Sequence, residues 1–330
     1  MLCALAGLML GSTPVSFLEG LRGWLSGDTH SPDAVILGAF RVPRVWLSMV
    51  VGAGLAVTGT TFQGVLSNPL ADPYILGVSG GASVGVSLAT VLGIGGTLLG
   101  VSALPLAAFV GALGAVGVLY LIASLLPGGS RGQQGVYTLL LVGVILNSFC
   151  IAVVLFLRTV ISPLESQRLL FWLMGNLSVG RLSTAELLTV TVCVGRGAGY
   201  PSFQGGNLNP LTLGDDRART LGINTDRVRF RLFAVSSFVV GAAVAASGIV
   251  GFVGLVVPHM LRFWVGADHR VLIPASALGG AAFLTLADVG GRLLYPVAGT
   301  TFPVGAVTAF VGVPLFFVFL VRGLNARSSQ

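Results

Sequence analysis

The stretch VVGAGLAVTGTTFQGVLSNP at residues 50–69 and the stretch VVGAAVAASGIVGFVGLVVP at residues 239–258 align without gaps at an offset of 189. Eight of the 20 aligned positions are identical, and neither stretch contains a charged residue. Five predicted spans separate the two stretches, so we expect them to cross a membrane in opposite directions. Inverted repeats of this kind are typical of transporter folds, whereas coincidence between two helices rich in Gly, Ala and Val is the alternative. The identical pairs are Val50/Val239, Val51/Val240, Gly52/Gly241, Ala53/Ala242, Ala56/Ala245, Gly59/Gly248, Leu66/Leu255 and Pro69/Pro258.

The composition of the whole chain predicts a lipid environment. Of its 330 residues, 54% are hydrophobic and only 9% are charged, whereas a soluble domain carries about 25% charged residues. A spanning helix needs roughly 20 apolar residues, and the chain has room for many such helices. We therefore predict an all-α integral membrane protein with one transmembrane domain over residues 1–330. A large soluble enzyme rich in glycine is the alternative that this composition disfavours.

Glycine is the second compositional signal, with 48 residues in the chain. In membranes, small residues allow the backbones of neighbouring helices to approach closely. Gly77, Gly81 and Gly85 form two consecutive G-x-x-x-G steps on one predicted helix face. Packing within one subunit is the favoured interpretation, and packing between subunits is the alternative.

Apolar runs bounded by charges and by Pro or Gly predict about ten spans. They lie near residues 2–17, 43–64, 75–93, 102–126, 136–157, 182–195, 232–251, 252–265, 271–291 and 303–321. The first run is interrupted by Gly11, Ser12 and Pro14, which leaves about 10 uninterrupted residues, or roughly 15 Å of helix. No basic residue precedes it, so it is a poor signal peptide, and we expect a truncated or mis-assigned start. The apolar piece at 169–174 is too short to cross.

The distribution of arginine predicts the orientation, because cytoplasmic loops carry an excess of basic residues. The loops at 127–135, 196–231 and 262–270 and the tail at 322–330 hold 11 of the 18 arginines, and the other side holds seven. This asymmetry places both termini in the cytoplasm, residues 19–44 outside, and residues 196–231 inside as a long polar segment. Seven outside arginines require an explanation of their own.

Several functions are excluded by residues that the chain lacks or scatters. All 18 basic residues are arginine, so the chain has no Walker A lysine for ATP and no lysine for Schiff-base chemistry. The three cysteines and three histidines are far apart in sequence, so we predict no metal site. The arginines lie between apolar spans rather than on one compact face, which disfavours nucleic acid as a partner.

Three segments carry a pattern that resembles a known family. The first has RVPR at 41–44, followed after a span by NPLADP at 68–73. The second is LGDDRARTLG at 213–222, and the third is GFVGLVVPH at 251–259, continuing to DHR at 268–270. In order and spacing, over roughly 41–322, they resemble the FecCD permease family, the membrane subunits of cobalamin, haem and ferric-siderophore importers. The resemblance implies a type II ABC importer permease architecture and no enzymatic activity in this chain.

The segment 213–222 has a physical interpretation that agrees with this resemblance. Asp215 and Asp216 stand in the first turn of a predicted short helix, where carboxylates suit the positive end of the helix dipole, and Gly222 is suited to end that helix at C′. The resemblance implies a coupling helix that inserts into a separate ATPase, which would carry the ATP and Mg²⁺. A solvated loop helix is the alternative. The coupling residues implied are Gly214, Asp215, Asp216, Arg217, Ala218, Arg219, Leu221 and Gly222. The family usually has glutamate at the position of Asp215, so its contact has a shorter reach here.

Arginines on the predicted outer side form the second candidate site. Arg41 and Arg44 stand just before a span, and guanidinium groups pair with carboxylates through two hydrogen bonds. The resemblance implies that Arg41, Arg44 and Arg292 meet acidic residues of a periplasmic or lipid-anchored substrate-binding protein. Anchoring in the interface by snorkelling is the alternative.

The third candidate site is a gate at the inner end of the pathway. Proline at 69 breaks the helix, and irregular backbone at membrane depth must be buried in protein or line water. The resemblance implies that Asn68 and Leu70 narrow the pathway opposite Val136 and Tyr137. Cobalamin importers have small hydroxyl residues at the latter position, so this gate is bulkier. A plain turn that ends a helix is the alternative.

The leading hypothesis is therefore a pathway subunit that works as a closed pair of two copies, with two ATPase subunits and an external binding protein. The runner-up is an ion-coupled secondary transporter, which needs carboxylates near the midplane. Glu186 and Asp288 are the carboxylates within spans, and ordinary structural pairing is the favoured interpretation of both. A membrane enzyme is third, because no nucleophile–base pair is visible.

Overall fold

The computed structural model describes residues 2–28, 30–98, 101–126, 132–177, 183–295 and 299–328. Within this part the chain is almost entirely helical, apart from a hairpin of two short antiparallel strands, β1 Thr97–Leu98 and β2 Val101–Ser102. The helices are α1 Leu2–Met9, α2 Phe17–Ser26, α3 Pro32–Val35, α4 Val42–Val65, α5 Val78–Val91, α6 Ala103–Leu125, α7 Gly132–Arg158, α8 Pro163–Leu173, α9 Thr184–Phe203, α10 Gly205–Thr212, α11 Asp215–Thr220, α12 Thr225–Ser247, α13 Val253–Val265, α14 His269–Leu293 and α15 Val304–Ser328. A π-helical turn, Ile36–Arg41, joins α3 to α4, and a 3₁₀ turn, Pro73–Leu76, precedes α5.

Each of the ten predicted spans overlaps one of these helices. By length and composition, five helical segments of the described chain are able to cross a membrane, namely Pro32–Val65, Ala103–Leu125, Tyr137–Arg158, Thr225–Ser247 and His269–Leu293. Three shorter apolar helices, Val78–Val91, Val253–Val265 and Val304–Phe319, accompany them. The first predicted span is realised only as the eight-residue α1, and the apolar piece at 169–174 lies in the separate amphipathic helix α8.

The aligned stretches 50–69 and 239–258 adopt different backbones. The first stays within α4 as far as Val65, whereas the second breaks between the end of α12 and the start of α13. The break is built around Gly248 and Phe252, whose φ angles are both +68°. A Cβ on Gly248 would lie 2.2 Å from the Trp172 carbonyl oxygen, so only glycine fits there. The Tyr74 hydroxyl donates to the Val250 carbonyl at 2.9 Å and so fixes the broken segment.

Helix α4 is the central element of the bundle. Its buried face packs against α12, α13 and α14, and most of its residues after Val50 have little exposed surface. Gly59 lies against α13, where a Cβ would come within 1.9 Å of the Gly254 carbonyl oxygen. Contacts this close are the reason that membrane helices favour small residues.

The G-x-x-x-G steps of α5 pack inside the subunit, as predicted. A Cβ on Gly81 would lie 2.4 Å from the Gly111 carbonyl oxygen, and one on Gly85 would lie 2.1 Å from that of Ala107. Both partners belong to α6. These two glycines therefore allow α5 and α6 to lie in backbone contact.

Candidate coupling, gate and docking sites

The coupling segment folds as the sequence predicts. Helix α11 has Asp215 and Asp216 in its first turn, and it follows Gly214, whose φ is +105°. Gly222 has a φ of +79°. Its N–H donates to the Arg219 carbonyl, and the next N–H donates to that of Ala218. This pair of bonds is the Schellman motif, which ends the helix at a C′ glycine.

The charged residues of α11 divide into a buried set and an exposed set. Ala218 is fully buried beneath the helix, and Asp215 forms an ion pair with Arg229 of α12, with N–O distances of 2.6 and 2.8 Å. Arg219 lies 3.7 Å from Asp226 in a largely exposed pair. The outward surface of the segment, hereafter the knob, consists of Leu213, Asp216, Arg217, Thr220 and Leu221, all of them exposed.

Helix α10 fastens the coupling segment to the ends of two spanning helices. Asn209 donates to Asp268 at 2.7 Å and accepts from the His269 backbone N–H at 2.9 Å, at the start of α14. The bond from Asn209 is the main reason that the pKa of Asp268 is lowered. At the end of α4, the Ser67 hydroxyl donates to the Leu211 carbonyl at 3.4 Å. Helix α10 therefore links the coupling segment to α4 and α14.

The predicted gate residues lie beside the coupling segment. The last turn of α4 closes at Ser67, whose φ is +48°, and Asn68 then accepts from the Leu70 N–H at 2.9 Å in a tight turn. A cavity of about 230 Å³ is lined by Asn68 and Tyr137 on one side and by Gly214, Asp215 and Arg229 on the other. Leu70 and Tyr137 are exposed. The side chain of Val136 lies outside the described residues, although its backbone belongs to α7.

Two of the three arginines of the predicted docking site, Arg44 and Arg292, meet at Asp288 at the opposite end of the bundle, and Arg41 lies near Arg292. Arg44 donates to Asp288 at 2.8 Å, and the Arg292 Nε lies 3.0 Å from the other carboxylate oxygen. The Asp288 side chain is 2% exposed. Asp288 is thus a structural partner of two arginines, which agrees with the favoured interpretation of that carboxylate.

Arg41 and Arg292 also hold the N-terminal segment of the chain. Arg41 donates to the carbonyls of Leu8, Met9 and Thr13 at 2.5–3.0 Å, and Arg292 donates to that of Gly7 at 3.2 Å. Both arginines are 4% exposed, whereas the Arg44 side chain is 20% exposed. Of the three, Arg44 therefore has the largest surface to offer a docking protein. The docking role of the three arginines stays a prediction.

The other carboxylate within a span is also in a structural position. Glu186 forms a capping box with Ser183 at the start of α9 and accepts from the Ser102 backbone N–H. In the described part of the chain, no group of three or more His, Cys, Asp and Glu side chains is placed to hold a metal ion.

Two contacts were not predicted from the sequence. One is the ion pair of Asp215 with Arg229, and the other, hereafter the clamp, is the set of hydrogen bonds from Arg41 and Arg292 to backbone carbonyls of residues 7–13. Arg229 stands 14 residues after Asp215, and its opposite charge on the next helix was the available signal. The clamp has no comparable signal, because backbone carbonyls accept from any arginine that the fold brings near. Neither contact follows from local periodicity.

The fold is thus that of a polytopic helical membrane protein with an exposed charged helix at one end. The sequence profile of the FecCD transport family matches residues 1–322. The chain belongs to the FecCD transport family. It is a non-catalytic permease subunit of an ABC importer, and this family works with an ATPase and a substrate-binding protein.

Relatives of known assignment span nearly the whole chain. It is 39% identical to the hemin transport system permease HmuU of Yersinia pestis, over 99% of this chain and 96% of the relative. It is 42% identical to the cobalamin import permease BtuC of Halobacterium salinarum, over 89% of this chain and 75% of the relative. It is 36% identical to the vitamin B12 import permease BtuC of Escherichia coli, over 97% of this chain and 94% of the relative.

Solved structures support the same fold. An ABC transporter assigned to the metal-chelate type, solved in an inward-facing conformation, aligns with a TM-score of 0.80 and 27% identity over 97% of this chain and 96% of that chain. PsaBC of Streptococcus pneumoniae, in complex with a Fab, aligns with a TM-score of 0.57 over 91% of this chain and 95% of that chain. At 17% identity the second match shows the fold alone.

Proposed function

We propose that two copies of this chain form the translocation pathway of an importer for an iron chelate, either haem or a ferric siderophore. Each copy binds one ATPase subunit through the knob, and both termini lie in the cytoplasm. In a bacterial cell the assembly lies in the inner membrane. The observation that carries this proposal is the exposed, folded α11 beside the cavity lined by Asn68 and Tyr137.

In this proposal, coupling runs from the ATPase through the knob to the spans. ATP binding moves the ATPase subunits together, α11 moves with them, and the spans change between outward-facing and inward-facing arrangements. The chelate is delivered by a binding protein that docks on the end of the bundle that holds Arg44. The pathway chain itself then needs few convergent polar groups.

Cobalamin is the second candidate substrate. It is supported by the identity with the BtuC permeases of Halobacterium salinarum and Escherichia coli. The large exposed side chain of Tyr137 at the gate weighs against it, because cobalamin importers carry small hydroxyl residues there. Identity with the hemin permease extends over more of the chain.

A secondary transporter is less well supported. Its coupling carboxylates must be free to bind and release an ion, whereas Asp288 is held by two arginines and Glu186 by a capping box. Neither group has the free oxygen surface that ion coupling demands.

The proposal is tested by purifying the chain with the products of its neighbouring genes. We expect a complex of two permeases and two ATPases whose ATP hydrolysis rises when the loaded binding protein is added. Haem, a ferric siderophore and cobalamin are offered separately, and the chelate that gives the rise identifies the substrate. A rise with cobalamin alone would replace the iron chelate, and no associated ATPase at all would refute the proposed function.

A further inference from the structure

The Asp215–Arg229 ion pair joins the coupling helix to a spanning helix. Asp215 is the first residue of α11, and Arg229 stands on the second turn of α12. Two guanidinium nitrogens lie 2.6 and 2.8 Å from the two carboxylate oxygens. Only 14% of the Asp215 side chain and 12% of the Arg229 side chain are exposed. Arg229 donates a hydrogen bond to one carboxylate oxygen and lies in ion-pair contact with the other, so the pair ties the start of α11 to α12.

The next turn of α12 continues this contact into the core. Phe233 follows Arg229 by four residues and so shares its helix face. Its ring packs edge to face against Phe62 of α4 and Tyr120 of α6, with centroid separations of 5.1 Å in each case. Phe62 and Phe233 are fully buried, and close-packed side chains transmit a displacement instead of absorbing it.

Phe62 lies in the last turn of α4, directly before the loop at residues 66–70, hereafter the gate loop. Its carbonyl accepts the Leu66 N–H at 2.9 Å in the turn that leads to Ser67 and Asn68. Asp215 and Arg229 also form one wall of the 230 Å³ cavity whose other wall includes Asn68 and Tyr137. The pair therefore lies next to the predicted gate residues in two ways, along the packed rings and across this cavity.

We propose that the Asp215–Arg229 pair is the positioning contact through which a displacement of α11 reaches the gate. Asp215 acts through Arg229, and the ATPase meets the knob, whose residues are exposed. This inference rests on the proposed function, because it presumes that α11 is driven by an ATPase. It gives the Asp215 carboxylate a role inside the permease instead of a contact with the motor.

The test is a double-mutant cycle in the permease–ATPase complex. Asp215→Asn, Arg229→Gln and the double variant are reconstituted with the binding protein, and ATP hydrolysis is measured with and without it. In each single variant we expect the stimulation by loaded binding protein to fall about tenfold, within the roughly 5- to 150-fold range of couplings between sites. In Arg229→Gln, whose residue belongs neither to the knob nor to the implied coupling residues, the amount of bound ATPase and the unstimulated rate are expected to stay unchanged.

The double variant decides whether the two residues act as a unit. We expect it to lose no more stimulation than either single variant, because contacting residues are not additive. Asp215→Glu keeps the carboxylate and is expected to keep most of the stimulation. Losses that multiply in the double variant, or wild-type stimulation in the single variants, would overturn the inference.

Two comparisons separate this inference from neighbouring explanations. Asp226→Asn removes an exposed carboxylate from the same region, 3.7 Å from Arg219, and is expected to keep full stimulation. A merely structural role of the pair predicts instead that bound ATPase, unstimulated rate and stimulation all fall together. If the binding protein does not stimulate the wild-type complex, the proposed function fails. If it stimulates the wild-type complex and the variants equally, only the role of the Asp215–Arg229 pair is refuted.

Discussion

Gly52 of α4 and Gly280 of α14 face each other where the two helices cross. A Cβ on either residue would lie 2.2 Å from the carbonyl oxygen of the other. Each glycine thus leaves room for the backbone of the opposite helix. There is no room for a Cβ at either position, so the close approach of α4 and α14 depends on both glycines.

Alanine at Gly52 or at Gly280 is therefore expected to separate α4 from α14 and to destabilise the fold. Overpacking of this kind costs roughly 1–3 kcal/mol, which is measured as a lower midpoint of thermal unfolding in detergent. The matched control is Gly114→Ala on α6, where a Cβ meets nothing within 4 Å. Replacing glycine by alanine in a helix interior stabilises the helix by about 1 kcal/mol. An unfolding midpoint of Gly114→Ala that falls as far as those of the test variants would therefore refute the packing argument.

Replacing Asp288 by Asn is expected to destabilise the end of the bundle that holds the arginines. It leaves Arg44 and Arg292 without their shared counter-ion, and removing one partner of a buried pair costs roughly 3–5 kcal/mol. The unfolding midpoint measures this loss. Glu165→Gln, which removes an exposed carboxylate from the capping box of α8, is expected to have a small effect.

The same variant discriminates between ATP-driven and ion-coupled transport. Asp288→Asn protein that remains folded is expected to retain transport per folded complex, because the carboxylate is structural. Complete loss of transport in folded protein, with ATP hydrolysis intact, would revive the secondary transporter.

Asp72, which caps the 3₁₀ turn after the gate loop, is expected to make stability depend on pH. Burial raises its pKa from the ordinary 3.8 to about 6, and the hydrogen bond from the Tyr74 N–H only partly offsets this rise. A carboxyl whose pKa is higher in the folded state stabilises the fold at low pH, and that contribution is lost as the pH rises through about 6. Asp72→Asn mimics the neutral form and keeps the cap.

The measurement is the unfolding midpoint of both proteins between pH 4 and pH 7.5. The variant is expected to gain on the wild type as the pH rises, with the change complete above the pKa of about 6. A difference that is constant over this range would contradict the raised pKa.

Residue 221 is expected to be labelled from the cytoplasmic side. Leu221 is 65% exposed on the knob, so Leu221→Cys, in a chain whose Cys3, Cys150 and Cys193 are replaced by Ser, offers a reachable thiol. An impermeant maleimide should label it in inside-out vesicles and not in intact cells. Thr300→Cys, near Arg44, should give the opposite pattern. Labelling of residue 221 in intact cells would invert the proposed topology.

The sequence predicts the helical bundle well because its information is local. Apolar runs predict where helices form, and prolines and Gly222 predict where helices begin or end. Both signals depend only on neighbouring residues. A boundary between two spans was predicted at residues 251/252, close to the observed gap between α12 and α13. The positive φ of Gly248 was not predicted, because the aligned Gly59 stays helical and the contact of Gly248 with Trp172 is a tertiary one. Tertiary contact thus overrides a shared local pattern.

Long-range polar contacts explain why the observed partners of Asp215 and Arg41 differ from the predicted ones. The sequence presents Asp215 and Arg41 as charges that face partner proteins, whereas the fold pairs the first with Arg229 and turns the second toward backbone carbonyls. A charge pattern does not reveal which partner the fold supplies. The expectation that Asn68 lies near Tyr137 came from family resemblance and not from periodicity, and the two residues line one cavity. Their proximity to the coupling segment was not predicted.

The central claim is that this chain forms a pathway that another protein drives. It is tested most directly by uptake of the stimulating chelate into proteoliposomes that contain the permease alone or the permease with its ATPase, each with the binding protein outside and ATP inside. We predict uptake only when the ATPase is present and ATP can be hydrolysed. Uptake by the permease alone, driven by an ion gradient, would contradict the account.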